Sequence, residues 1–157
     1  MKKIWIFGGL ATLLLSACSG PRERGATDGV ERIPEVEALL AQMTVEEKVG
    51  QMAQLTLDVL TVGDNEYVTE EPLRLDSAMV RKALVDYGVG SILNTASNKA
   101  RTVEKWHEVI SELQRVATEE TRLGIPVLYG VDAIHGTTYT VGATFFPQQI
   151  GQAATWN

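Results

Sequence analysis

Two near-continuous apolar runs, Val89 to Asn94 and Ile125 to Val131, constrain this chain more than any other feature. A strand that is apolar at almost every position is buried on both faces, and such strands belong to parallel sheets covered by helices. Parallel neighbours need a crossover, and the intervening residues supply one. Val103, Trp106, Ile110, Leu113 and Ala117 recur at helical spacing, and Gly124 closes that helix. The alternation predicts an α/β chain, built either as a β/α barrel or as a doubly wound sheet.

The remaining elements follow the same rhythm. Pro34 suits a first helical turn, and Val36, Leu39, Leu40 and Met43 continue it. Thr44 and Glu47 form a capping-box pattern that starts a second helix, running to about Gln51. Gln54 to Leu57 reads as a short strand. Asp58 to Asp76 is acidic and contains Gly63 and Pro72, which predicts a surface loop with solvated carboxylates rather than a calcium loop. Asp76 or Ser77 caps the next helix, which carries Val80, Leu84 and Val85 and ends at Gly88. Thr95 to Ala100 is a polar loop.

The first residues stand apart from this pattern. Lys2 and Lys3 precede an apolar run from Ile4 to Leu15, twelve residues long. That falls short of the about 20 needed to span a bilayer, and it suits the core of a signal peptide over residues 1–17. The run ends in Leu15-Ser16-Ala17-Cys18, which resembles the bacterial lipobox and predicts a lipid on Cys18. Ser19 follows where an aspartate would favour the inner membrane, so the expected address is the outer membrane, facing the periplasm. Residues 18–33 have no apolar period and read as a flexible tether, and the folded region is expected over residues 34–157. A net charge of −6 with no basic stripe argues against a nucleic-acid partner. One cysteine and two histidines exclude an internal disulfide framework and argue against structural zinc.

The chemistry is expected where the last apolar strand ends. Gly130-Val131-Asp132-Ala133-Ile134-His135-Gly136 sets a carboxylate at the C-terminal end of a parallel strand, the edge at which β/α folds bind ligands. A carboxylate there can accept two hydroxyl hydrogen bonds, as a sugar's vicinal diol requires. Spacing alone leaves a second reading open, in which Asp132 caps the following turn. Asn94, ending the preceding strand at the same edge, is a candidate for the pocket wall. His135 is expected as a hydrogen-bonded neighbour of the site rather than a base or metal ligand. His107 falls mid-helix, and Trp156 is either a sugar platform or a core residue.

Four ordered blocks carry a family resemblance. Residues 123–136, from Leu123 to Gly136 and including Asp132, resemble the N-terminal domain of glycoside hydrolase family 3. Ala143-Thr144-Phe145-Phe146-Pro147, the block from Met43 to Met52, and Gly88-Val89-Gly90-Ser91-Ile92-Leu93 resemble the same domain in the right order. Gln152 departs from the apolar residue usual in the family.

The resemblance implies a (β/α)8 barrel of which these residues are the N-terminal, incomplete part. It implies a β-glucosidase-like enzyme that removes terminal non-reducing β-D-glucose with retention, without a cofactor. It places Asp132 in the −1 subsite, holding sugar hydroxyls. The nucleophilic aspartate, the acid/base glutamate and a Lys-His pair are expected later than Asn157, so no catalytic carboxylate is assigned here and the piece alone is expected to be inactive. The helical pairs Glu46-Glu47 and Glu119-Glu120 do not replace them. The alternatives are a non-catalytic glycan-binding lipoprotein, and a β-xylosidase or N-acetyl-β-hexosaminidase of the same family.

Overall fold

The computed structural model describes residues 32–64 and 68–155. The signal peptide, Cys18, most of the tether and Trp156 lie outside the described residues. A first short unit ends at Glu37 and a second runs from Ala38 onward. Helix α1 covers Pro34–Gln42, and everything below belongs to the second unit.

Three strands form one parallel sheet in the order β1-β2-β3: Gln54–Thr56, Ser91–Leu93 and Leu128–Gly130. Leu55 pairs with Ile92, and Ile92 with Tyr129. β2 and β3 are shorter than the apolar runs that announced them, and β1 ends one residue before its expected span. Val89 and Val127 are buried just outside their strands. The architecture is α/β, an open parallel sheet with the connections of a partial barrel.

Helix α2, Val45–Gln51, begins with the capping box. Thr44 Oγ1 accepts from the Glu47 N–H, and Glu47 accepts from the Thr44 N–H at 2.8 Å. Its end lies directly against the turn before β2. A Cβ on Gly50 would collide with the carbonyl oxygens of Tyr87 and Gly88. The Gly90 N–H instead donates to Gly50 O at 3.1 Å, and Gln51 Nε2 to Gly88 O at 3.1 Å. This backbone crossing is the physical content of two of the glycine-bearing blocks.

Asp76, one of the two expected caps, is the N-cap of α3 (Ser77–Arg81), accepting from the Ala78 and Met79 N–H groups. The helix continues as a π-wound turn over Lys82–Asp86 and closes at Gly88, whose φ of +61° suits a residue without a Cβ. Helix α4, Val103–Glu119, starts on Thr102, whose Oγ1 accepts from the Lys105 N–H. Its buried stripe is Val109, Leu113, Val116 and Ala117, with Trp106 half-buried. Val103, expected on that face, is exposed because it lies a turn before the helix meets the core.

The segment 58–76 differs most from expectation. It is a folded excursion rather than a simple surface loop. Leu57 and Leu60, on one turn of 3-10 helix, are fully buried, and Leu73 joins them in the core beside Val80, Ile92 and Leu113. The Val62 N–H donates to Arg74 O and the Asp76 N–H to Leu60 O, closing the excursion at its base. Alternating polar residues conceal a few apolar anchors, and pattern reading weighs the average rather than the anchors.

Candidate functional site at the strand C-termini

The C-terminal ends of the three strands open onto three loops, each braced before it reaches solvent. After β1, Asp58 Oδ1 accepts from the Ser97 N–H at 2.6 Å. Ser97 Oγ accepts from the Thr69 N–H at 3.1 Å, linking the excursion to the loop after β2. That loop contains left-handed residues at Asn94, Ser97 and Asn98. It is held from within by Thr95 Oγ1 donating to Lys99 O at 2.7 Å, and by Arg101 donating to Ala96 O at 3.0 Å. The expected polar loop is thus a rigid shelf.

Asn94 and Asp132 meet on this edge. Asn94 Nδ2 donates to Asp132 Oδ2 at 2.8 Å, and the Asp132 N–H donates to Asn94 Oδ1 at 2.8 Å. The Asn94 N–H donates to Gly130 O at 2.8 Å, extending the ladder one residue beyond β2. Asp132 is exposed, and no donor among the described residues reaches its Oδ1. Its carboxylate accepts no backbone N–H of the following turn, so it does not behave as a cap.

Tyr129 supports the pair from below. Its hydroxyl donates to Asn94 O at 2.6 Å, and its ring meets Trp106 edge to face at 5.7 Å. Burial first, and the negative charge of Asp58 second, push the phenol pKa well above its ordinary value, so the group stays a donor. Sequence reading missed Tyr129 because one aromatic in an apolar strand signals core, and only its register opposite Ile92 shows where its hydroxyl ends.

His135 is engaged elsewhere. Its Nδ1 lies 2.9 Å from Phe146 O, the Phe146 N–H donates to His135 O at 2.7 Å, and its ring stacks on Phe145 at 4.8 Å. Gly136, with φ +85°, lies where a Cβ would strike Thr144 O and the Phe146 ring. The His-Gly and Phe-Phe-Pro blocks therefore clasp each other. The loop between them docks on α4 through Trp106 Nε1 and on the residues before it through the Arg101 N–H, both donating to Tyr139 O. His107 is exposed on α4.

Among the described residues no cluster of three His, Cys, Asp or Glu side chains could hold a metal ion. A cleft of about 980 Å³ lies on the helix side of the sheet, lined by Val49, Leu55, Tyr87 and Ile125 among others. It is mainly apolar, and Asp132 and Asn94 are not among the residues that line it. Its size does not make it the site. The Asn94–Asp132 edge instead presents a carboxylate held through Oδ2 and open at Oδ1.

Residues 44–157 match the glycosyl hydrolase family 3 N terminal domain. A lysosomal beta glucosidase of Dictyostelium discoideum is 33% identical over 129 residues, covering 78% of this chain and 15% of that protein. A probable beta-glucosidase C of Aspergillus flavus is 30% identical over 143 residues, 87% of this chain and 21% of its own length. A periplasmic beta-glucosidase of Salmonella typhimurium is 29% identical over 122 residues, 78% of this chain and 12% of its own. The chain thus spans between 12% and 21% of the length of these relatives.

Proposed function

The chain belongs to glycosyl hydrolase family 3, and from that premise we propose that the intact protein is an exo-acting, retaining β-glucosidase whose −1 sugar is held by Asp132. The observation that carries this reading is the Asp132 carboxylate, fixed through Oδ2 and open at Oδ1 on the ligand edge of a parallel sheet. An ionised carboxylate accepts hydrogen bonds only, each oxygen through two lone pairs, so Oδ1 can take donors from two neighbouring sugar hydroxyls while Oδ2 stays on Asn94. The relatives named as β-glucosidases support glucose as the sugar.

Retention requires two carboxyls about 5–5.5 Å apart, one as nucleophile and one as acid/base. We assign both to parts of the protein other than residues 44–157, and the small share of each relative that this chain matches supports that division. Asp132 makes and breaks no covalent bond. It spends binding energy on orientation, so that the anomeric carbon faces the nucleophile without further search. His135, through its clasp with Phe146, shapes the pocket wall beside it.

The same reading places the enzyme in the bacterial envelope, tethered by a lipid on Cys18 to the outer membrane and facing the periplasm. The lipobox-like Leu15-Ser16-Ala17-Cys18 supports the anchor, and a relative named periplasmic supports the compartment.

A panel of nitrophenyl glycosides on the intact protein tests the activity. The β-glucoside should be turned over fastest, ahead of the β-xyloside and the N-acetyl-β-glucosaminide. Asp132→Ala removes two charge-assisted hydrogen bonds and should lower kcat/KM by about 10²–10⁴-fold without unfolding the protein. Sugar binding without turnover would turn the reading into that of a glycan-binding protein.

A further inference from the structure

We propose that Asn94 is a positioning residue for Asp132, fixing the rotamer of its carboxylate so that Oδ1 is the oxygen presented to substrate. The inference rests on the reading of Asp132 as the sugar-holding group and goes beyond it, because Asn94 acts through Asp132 and need not touch the sugar.

The backbone of Asn94 is the first argument. Its φ is +63°, in a left-handed region that residues with a Cβ seldom enter, although asparagine does so more readily than most. The conformation persists because both backbone groups are bound. The N–H donates to Gly130 O at 2.8 Å, and the carbonyl accepts from the Tyr129 hydroxyl at 2.6 Å. Together these two bonds turn the side chain of Asn94, the residue that follows β2, toward Asp132 beyond the end of β3.

The second argument is the reciprocity of the side-chain contact. The amide nitrogen donates to Asp132 Oδ2 and the amide oxygen accepts from the Asp132 N–H, both at 2.8 Å. A flipped amide would set oxygen against carboxylate and NH2 against N–H, so the partners dictate the orientation. Two points of attachment fix the Asp132 backbone and one carboxylate oxygen together. The torsion that would swing Oδ1 away from the ligand is removed before substrate arrives, and such preorganisation is recovered as orientation in the transition state. An aspartate at position 94 would keep the shape but face Asp132 with a second negative charge. An alanine would keep neither the bond nor the ease of φ +63°.

The test uses the intact protein and an aryl β-glucoside. Asn94→Gly keeps the left-handed backbone available and deletes only the side chain. Asn94→Asp keeps the outline and replaces the donor by a carboxylate. Each should lower kcat/KM by about 10–100-fold, with the thermal midpoint near that of the parent. The deciding measurement is the double variant Asn94→Gly with Asp132→Ala, which should be no slower than Asp132→Ala alone, since a residue that acts through Asp132 has nothing left to position. Losses that add in full would overturn the proposal, as would Asn94→Gly and Asn94→Asp both turning over at the parental rate. Should Asn94→Gly fail to fold, Asn94→Asp, singly and with Asp132→Ala, carries the same comparison. Parental activity in Asp132→Ala would instead remove the sugar-holding role, and the positioning role with it. That result is distinguishable, because it appears before Asn94 is changed.

Discussion

Nη1 of Arg101 lies 2.9 Å from Oε1 and 3.0 Å from Oε2 of Glu71, so one nitrogen bridges both oxygens of a carboxylate thirty residues away in sequence. The Arg101 side chain is 9% exposed and that of Glu71 39%, which places the pair at the rim of the core. Lys99 adds a second cation on Oε1 at 3.1 Å, and the Leu73 N–H reaches Oε2 at 3.2 Å. The pair fastens the 58–76 excursion to the shelf after β2, under the edge that bears Asn94.

Glu71→Ala should lower stability by about 1–3 kcal/mol, toward the lower end because water reaches the carboxylate side of the gap. The buried guanidinium keeps its bond to Ala96 O but loses its counter-charge. Urea titration of the intact protein, followed by loss of activity, measures the change.

The same carboxylate sets an acid limit. The hydrogen bond from Lys99 is the largest influence on the Glu71 carboxyl; burial opposes it, but the Arg101 hydrogen bond and the charges of both cations add to it and hold the group below its ordinary value of 4.5. A group with a lowered folded pKa stabilises the folded state above its unfolded pKa, and that contribution fades as pH falls through the folded value. Stability should therefore decline below about pH 4.5, and Glu71→Gln should show a shallower decline over the same range. Equal acid slopes for parent and variant would assign the decline to other groups.

How much of this arrangement was legible in sequence depended on the range of the interaction. The helix starts at Thr44 and Asp76 are local hydrogen bonds between residues two or three apart, and a residue type at a fixed offset announces them. The parallel strands were visible as double-sided apolar runs. Asp132 was visible because its place depends only on where β3 ends. The Arg101–Glu71 bridge, the Gln114 amide that donates to Val127 O at 2.7 Å, and the Tyr129 hydroxyl were not visible. Each joins segments whose proximity is created by the fold, and none of those residue types is unusual where it stands.

Two neighbouring glycines should respond differently to substitution. Gly50 needs the absence of a Cβ for space, since Gly88 O would lie 2.7 Å from one. Gly50→Ala should cost about 2–3 kcal/mol, because backbone must move to admit it. Gly88 needs its glycine only for φ +61°, with nothing closer than 4.0 Å to an added Cβ. Gly88→Asn should stay within about 1 kcal/mol, as asparagine tolerates the left-handed region. Thermal inactivation midpoints of the two variants rank these costs, and a reversed order would show that the crossing is looser than drawn.

Cys18 should decide the address of the protein. With lipid attached it should sediment with membranes, and Cys18→Ala should release it or block its processing. Intact-mass analysis checks the modification directly: cleavage at another position, with no added lipid, would rule out the anchor.

Residues 18–157 expressed by themselves should neither hydrolyse aryl β-glucosides nor remain monomeric. β1 and β3 each pair only with β2, so both margins of the described sheet present unpaired backbone groups. Large apolar side chains on and after β3 are exposed: Leu128 74%, Phe145 73% and Ile150 81%. Scattered apolar residues are ordinary on a surface, but three this large on and following an open strand favour association of one copy with another. The Asn94–Asp132 pair is held entirely by β2, β3 and their loops, so it should survive in such a preparation and give weak sugar binding without turnover. Sedimentation velocity should show self-association that grows with concentration, and calorimetry a broad transition. A monomer with a single sharp transition would mean that the exposed flank costs less than its area implies. Turnover abolished by Asp132→Asn would require a nucleophile and an acid/base among these residues, and would overturn their assignment elsewhere in the protein.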